Sequence, residues 1–178
     1  MLAKSLEKIM LEKKEMLIIS AKSVANLQTN NPLNHALLVL SQVHFSKIPV
    51  LGVDDRFVGT VGLAEVVDKM IEMQAKGIQN LQDFTVMDVV DIDQPTIGEN
   101  WTLDEAMRLL KDYNFVPVVD EERSFVGILT RKGLLSAINH TFHEFEKHNI
   151  VIPKIGNVVS KKIGAKSLVY SDKKRVKK

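Results

Sequence analysis

Residues Phe57–Val66 read FVGTVGLAEV, and residues Phe125–Leu134, 68 positions later, read FVGILTRKGL. An internal repeat constrains a fold more than composition does, because each copy must satisfy the same local geometry. At the same offset Pro49 falls on Pro117 and Val50 on Val118. Upstream, NPLNHALLVL aligns with WTLDEAMRLL at an offset of 70, placing Leu33 on Leu103, Ala36 on Ala106 and Leu40 on Leu110. The second copy is two residues shorter between its helix and its proline.

Each copy predicts the same elements. Leu33, Leu37 and Leu40, like Leu103, Met107 and Leu110, recur at helical spacing. Thr102 precedes Leu-Asp-Glu and can cap the second of these helices, while Pro32 suits the first turn of the other. IPVL and VPVV are short apolar runs fit for buried strands, VDDR and DEER are polar turns, and FVGTVG and FVGILT are second strands. The glycine in each FVG marks a turn or a close backbone approach. LAEVVDKMIEMQ and RKGLLSAINHTFHEF read as helices, and one further short strand precedes each unit, around Val24–Leu27 and Pro95–Ile97. The expected fold is α/β (α+β), a β-α-β-β-α unit written twice. The expected division is an N-terminal helix over 1–15, repeat 1 over 16–76, a linker over 77–88, repeat 2 over 89–146 and a basic tail over 147–178. Neither half buries much core alone, so the two pack face to face and leave a cleft between equivalent surfaces.

Composition narrows the function. The 178 residues are 45% hydrophobic and 26% charged, an ordinary globular mix. There is no cysteine, which rules out disulfides and thiolate metal sites. No window approaches the roughly 18 apolar residues of a membrane span, and MLAKSLEKIMLEKKE lacks a signal-peptide core, so a cytoplasmic location is expected. The net charge of +2 is unevenly placed: residues 161–178 hold eight of the 24 Lys/Arg and one of the 22 acids. The rest of the chain is therefore acidic, and the tail is expected to be a solvated terminus rather than a nucleic-acid surface. His140, His143, Glu144 and His148 cluster in HTFHEFEKH, but the pattern is not HExxH and no second cluster exists, so no metal site is expected. Met70 and Met73 are expected to pack in the core or a dimer face. No P-loop, dinucleotide fingerprint, nucleophile elbow or paired-carboxylate constellation appears, so no enzymatic activity and no cofactor are expected.

The doubled h-P-V-h…h-h-G-h-h-T pattern after an apolar helix resembles a CBS-domain pair, or Bateman module, over roughly residues 15–145. The resemblance implies a pseudo-two-fold module that binds an adenine-containing ligand between its repeats and forms homodimers. In such modules an Asp often follows G-h-h-T and accepts from the ribose hydroxyls. Here Gly62 replaces the first Thr and Glu65 stands at the Asp position; in repeat 2 Thr130 is kept and Gly133 replaces the Asp. Arg131 and Lys132 beside a Thr hydroxyl favour phosphate oxygens. AKSVANLQTNNPLNHALLVL, FSKIPVL and GILTRK resemble the cyclic di-AMP-binding CBS proteins of Gram-positive bacteria, the DarB/CbpB type. That resemblance implies that adenine lies against the backbone of the first strand, at Lys22, Val24, Ala25 and Leu27. It implies that Phe45 and Ser46 form an aromatic–hydroxyl pair, with Phe45 where a Tyr is common. It implies that Thr130, Arg131 and Lys132 meet phosphate. It further implies a regulatory protein whose ligand-free dimer engages a Rel-type (p)ppGpp synthetase/hydrolase or pyruvate carboxylase. The alternative is an AMP, ADP or ATP sensor, with Glu65 accepting from a ribose.

Overall fold

The computed structural model describes residues 14–43 and 45–148. The expected helix over 1–15 lies outside these residues except for Lys14 and Glu15, which begin a 3-10 turn spanning Lys14–Leu17. Most of the basic tail also lies outside them. Within them run β1 (Ile18–Ser20), β2 (Leu27–Gln28), α1 (Leu33–Gln42), β3 (Lys47–Leu51), β4 (Phe57–Gly62) and α2 (Leu63–Ala75). There follow β5 (Ile97–Gly98), α3 (Leu103–Asp112), β6 (Phe115–Val119), β7 (Phe125–Thr130) and α4 (Arg131–His148).

The repeat is preserved to the register. β3 and β4 are antiparallel with Pro49 opposite Thr60 and Val50 opposite Gly59. β6 and β7 are antiparallel with Pro117 opposite Ile128 and Val118 opposite Gly127. Both ladders shift register at the same step, Val50/Leu51 and Val118/Val119. The two cores use equivalent side chains as well: Leu33, Ala36, Leu40 and Val50 in one, Leu103, Ala106, Leu110 and Val118 in the other. The Thr102 hydroxyl accepts from the Glu105 N–H at 3.3 Å, as its spacing predicts. Pro32 stands one residue earlier than expected, in extended conformation at the N-cap of α1. The leading strands are also shorter than expected. Ala21–Ser23 is a 3-10 turn, and only Leu27–Gln28 joins β3 in parallel, because the chain before Leu27 leaves the sheet to pass over the cleft described below.

A symmetric joint holds the repeats together. The Phe57 N–H donates to the Arg123 carbonyl at 3.0 Å, and the Phe125 N–H donates to the Asp55 carbonyl at 3.1 Å. Asp55 and Arg123 take equivalent left-handed conformations, φ 60° and 66°. The Phe57 and Phe125 rings stack with centroids 6.2 Å apart, and Leu51 and Val119 complete this small third core.

The repeats also exchange edges. β1, at the start of repeat 1, pairs antiparallel with β7, giving one sheet in the order β1-β7-β6-β5 beside the sheet β2-β3-β4. Asp91, at the start of repeat 2, bridges back to β4, trading N–H···O bonds of 2.9 and 2.8 Å with Thr60. The FVG glycines permit both approaches: a Cβ on Gly59 would stand 2.3 Å from the Asp91 carbonyl oxygen, and one on Gly127 would stand 2.2 Å from that of Ile19.

Candidate functional site

The repeats enclose a cleft of about 550 Å³ at the end of β7. Its volume is in the range of small-molecule sites. Ile19, Val24, Ala25, Ile48, Pro49 and Ile128 form apolar walls. Phe45 and Ser46 stand at one lip; the Phe45 ring is 69% exposed and so is not a core residue. At the other lip Thr130 caps α4 by accepting from the Gly133 N–H at 3.0 Å, and Lys132 follows. The N-terminus of α4 contributes partial positive charge here. Among the described residues lining this cleft there are two lysines and no carboxylate. The site is therefore an apolar slot with a cationic, hydroxyl-bearing rim, suited to a flat ring system carrying phosphate.

Six of the nine residues singled out from the sequence line the cleft: Val24, Ala25, Phe45, Ser46, Thr130 and Lys132. Three are placed elsewhere. Lys22 is exposed and is not among the lining residues. The Leu27 side chain is 2% exposed within the repeat 1 core. The Arg131 guanidinium donates from Nε to the Leu110 carbonyl at 2.7 Å and from Nη2 to the Lys111 carbonyl at 3.3 Å. It thereby meets the negative end of α3 and borders a neighbouring hollow of about 230 Å³. Sequence reading overlooked Lys47, Asn114 and Phe115. The offset of 68 was the available signal, since it carries Ser46 and Lys47 onto Asn114 and Phe115.

A second cleft of about 370 Å³ lies at the end of β4, at the pseudo-symmetric position. Its chemistry is opposite. Ala64 stands where Lys132 stands in the other cleft, and Gly62 where Thr130 does. A Cβ on Gly62 would fall 2.2 Å from the Ser46 carbonyl oxygen, so no hydroxyl can be presented there. Glu65, Asp91 and Asp112 line it. Lys47 Nζ lies 2.8 Å from Glu65 Oε1 and 2.6 Å from Asp91 Oδ2. Partial burial opposes the Lys47 ammonium, but bonds to Asp91 and Glu65 outweigh it and hold its pKa above the lysine value. Burial likewise opposes the Glu65 carboxylate, and Lys47 together with the backbone N–H groups lowers its pKa overall. The hydrogen bond from Lys47 lowers that of Asp91. Glu65 also accepts from the Gly62 N–H at 3.0 Å. It is therefore occupied at both oxygens, which weakens its expected role as a ribose acceptor.

On α4, His140 and His143 are exposed, and the Glu144 and His148 side chains fall outside the described ones. No helix among the described residues is long and apolar enough to cross a membrane.

Comparison with known proteins places these features. Residues 86–140, the second repeat, match the CBS domain family. Cyclic di-AMP receptor B of Bacillus subtilis is 30% identical over 130 residues, covering 73% of this chain and 88% of the receptor. The crystal structure of CbpB from Streptococcus agalactiae superposes with a TM-score of 0.77 at 28% identity, covering 86% of this chain and 96% of that one. Listeria monocytogenes CbpB in complex with c-di-AMP gives a TM-score of 0.62 at 35% identity, covering 71% of this chain and 95% of that one.

Proposed function

Because the chain belongs to the CBS-domain proteins homologous to Bacillus subtilis cyclic di-AMP receptor B, we propose that it binds cyclic di-AMP in the β7 cleft as a regulatory protein. The observation that carries this reading is the divergence of the two clefts: beyond the Lys47 they share, one has Lys132, a threonine and no acid, the other three acids. An anionic dinucleotide is admitted by the first and repelled by the second. In this reading Ala25 lets an adenine lie against the backbone and Phe45 offers its uncovered ring to a base. Lys22 and Leu27 contribute main-chain contacts along the segment that crosses the cleft. Thr130 and Lys132 meet the phosphates, and Arg131, whose Nε and Nη2 bond the last carbonyls of α3, positions the start of α4 beside them.

Calorimetric titration of the full chain with cyclic di-AMP, cyclic di-GMP, AMP and ATP tests this. Selective cyclic di-AMP binding at one site per chain is expected, weakened about tenfold or more by Lys132→Ala and also by Arg131→Ala. Selective AMP or ATP binding indifferent to both substitutions overturns it in favour of an adenylate sensor.

The protein acts without catalysis in this reading, in the cytosol and as a homodimer. Val67 and Leu135 occupy equivalent positions on α2 and α4, and both are exposed, as are Met70 and Ile71 beside Val67. Met73, by contrast, is in the core. Such an uncovered apolar stripe on both repeats suits a self-complementary interface. Val67→Glu is expected to shift the species seen by analytical ultracentrifugation from dimer to monomer; a wild-type monomer, or a variant still dimeric, contradicts it. The ligand-free dimer then engages a metabolic enzyme, by family resemblance a Rel-type (p)ppGpp synthetase/hydrolase or pyruvate carboxylase, and ligand binding releases it.

A further inference from the structure

Lys47 is the first residue of β3, and its side chain borders both clefts. Its pseudo-symmetric counterpart Phe115 does the same, so these two form the ridge between the sites. The ridge carries one charge, on the Lys47 side. That charge is held by two carboxylates from different segments: Glu65 in the first turn of α2, and Asp91 at the start of repeat 2. All three side chains are roughly a third exposed. Ion pairs this accessible contribute only about 0–1 kcal/mol each. A lysine ammonium on a four-carbon stem is a mobile point charge that reorients at little cost.

We propose that Lys47 couples the two clefts: an anion entering the β7 cleft draws its ammonium away from Asp91 and Glu65, loosening the start of repeat 2 from repeat 1. The proposal rests on the reading of the β7 cleft as an anionic ligand site. Asp91 is where the release has consequence, because its backbone bridges to Thr60 of β4 and ties the start of repeat 2 to repeat 1. With the ammonium gone, Glu65 keeps its bond to the Gly62 N–H. The Asp91 carboxylate keeps its local bond from the Asp93 N–H, at 3.1 Å, and the backbone bridge to Thr60 loses the ion pair beside it. Ligand occupancy is thereby transmitted to the contact between the repeats by competition for one cation. Coupling of this kind is reciprocal, so loosening Asp91's hold on Lys47 tightens the ligand.

The test is calorimetry of the full chain with cyclic di-AMP on wild type, Asp91→Asn, Lys47→Met and the double variant. Asn retains an acceptor for the Asp93 N–H while removing the charge. Asp91→Asn is expected to tighten binding about 3–10-fold, Lys47→Met to weaken it about 5-fold or more, and Lys47→Arg to restore most of the loss. In the Lys47→Met background, Asp91→Asn should change nothing. An Asp91→Asn variant with unchanged or weaker affinity, or one equally tighter without Lys47, overturns the coupling. Amide hydrogen exchange with inorganic pyrophosphate as the probe separates this from failure of the ligand assignment. Faster exchange at Asp91 and Thr60 in wild type but not in Lys47→Met supports the coupling even if cyclic di-AMP does not bind. No pyrophosphate effect on a wild type that binds no cyclic di-AMP overturns it.

Discussion

Gly127→Val will unfold at a temperature lower by roughly 5–10 °C, a loss of about 2–3 kcal/mol for a chain of this size. A Cβ at Gly127 would stand 2.2 Å from the Ile19 carbonyl oxygen and 2.9 Å from an Ile18 methyl, and the first of these is backbone that cannot swing aside. β1 must therefore leave its ladder on β7, losing the pairs Ile18–Leu129, Ile19–Ile128 and Ser20–Gly127. Leu17 and Ile18, which pack on the repeat 2 core, lose part of that burial. Because Ile19 also walls the β7 cleft, ligand affinity falls with stability. Gly98 is the control: nothing lies within 4 Å of its Cβ position, so Gly98→Ala should leave the melting temperature nearly unchanged. Scanning calorimetry of both variants decides the matter, and equal melting temperatures for Gly127→Val and wild type would show that β1 is not held as described.

The same glycine shows what the sequence makes legible. The FVG repeat announces a close backbone approach, and the offset of 68 carries Pro49 to Pro117 and Phe57 to Phe125 with their ladders intact. What approaches was not legible. β1 has three residues, too few to set a period, and its partner strand lies over a hundred positions away. Asp91 is a single bridging residue with no local pattern. Ala25 and Ser46, named from the family resemblance, and Thr130 and Lys132, named where the two copies differ, do line the cleft. The site was less legible where a long side chain chooses between distant partners. A cation opening a helix asks for negative charge, and Arg131 finds it in the last carbonyls of α3, a partner fixed only when the β6–β7 hairpin brings the two helix ends together. Lys47 reads as an ordinary strand-edge charge until Glu65 and Asp91 fold around it.

Ala25→Trp will lower affinity for cyclic di-AMP by about 100-fold or more, close to 3 kcal/mol. Ala25 lies between the 3-10 turn Ala21–Ser23 and β2, on the stretch that passes over the cleft without sheet pairing. Its methyl group is one wall of the slot, facing a space also bounded by Pro49 and Ile128. An indole at that position occupies the room a purine would take, and the apolar lining offers it a favourable burial. The chain around Ala25 is only half-buried, so the substitution fills the cleft without overpacking a core, and stability should change by less than about 1 kcal/mol. That separation makes the variant informative. A folded, dimeric Ala25→Trp protein that no longer binds places the ligand against this segment. One that binds as the wild type does removes the β7 cleft from consideration, because no ligand could share it with the indole. The acidic β4 cleft would then need an occupant of opposite charge, and the divergence of Lys132 from Ala64 and of Thr130 from Gly62 would require a different explanation.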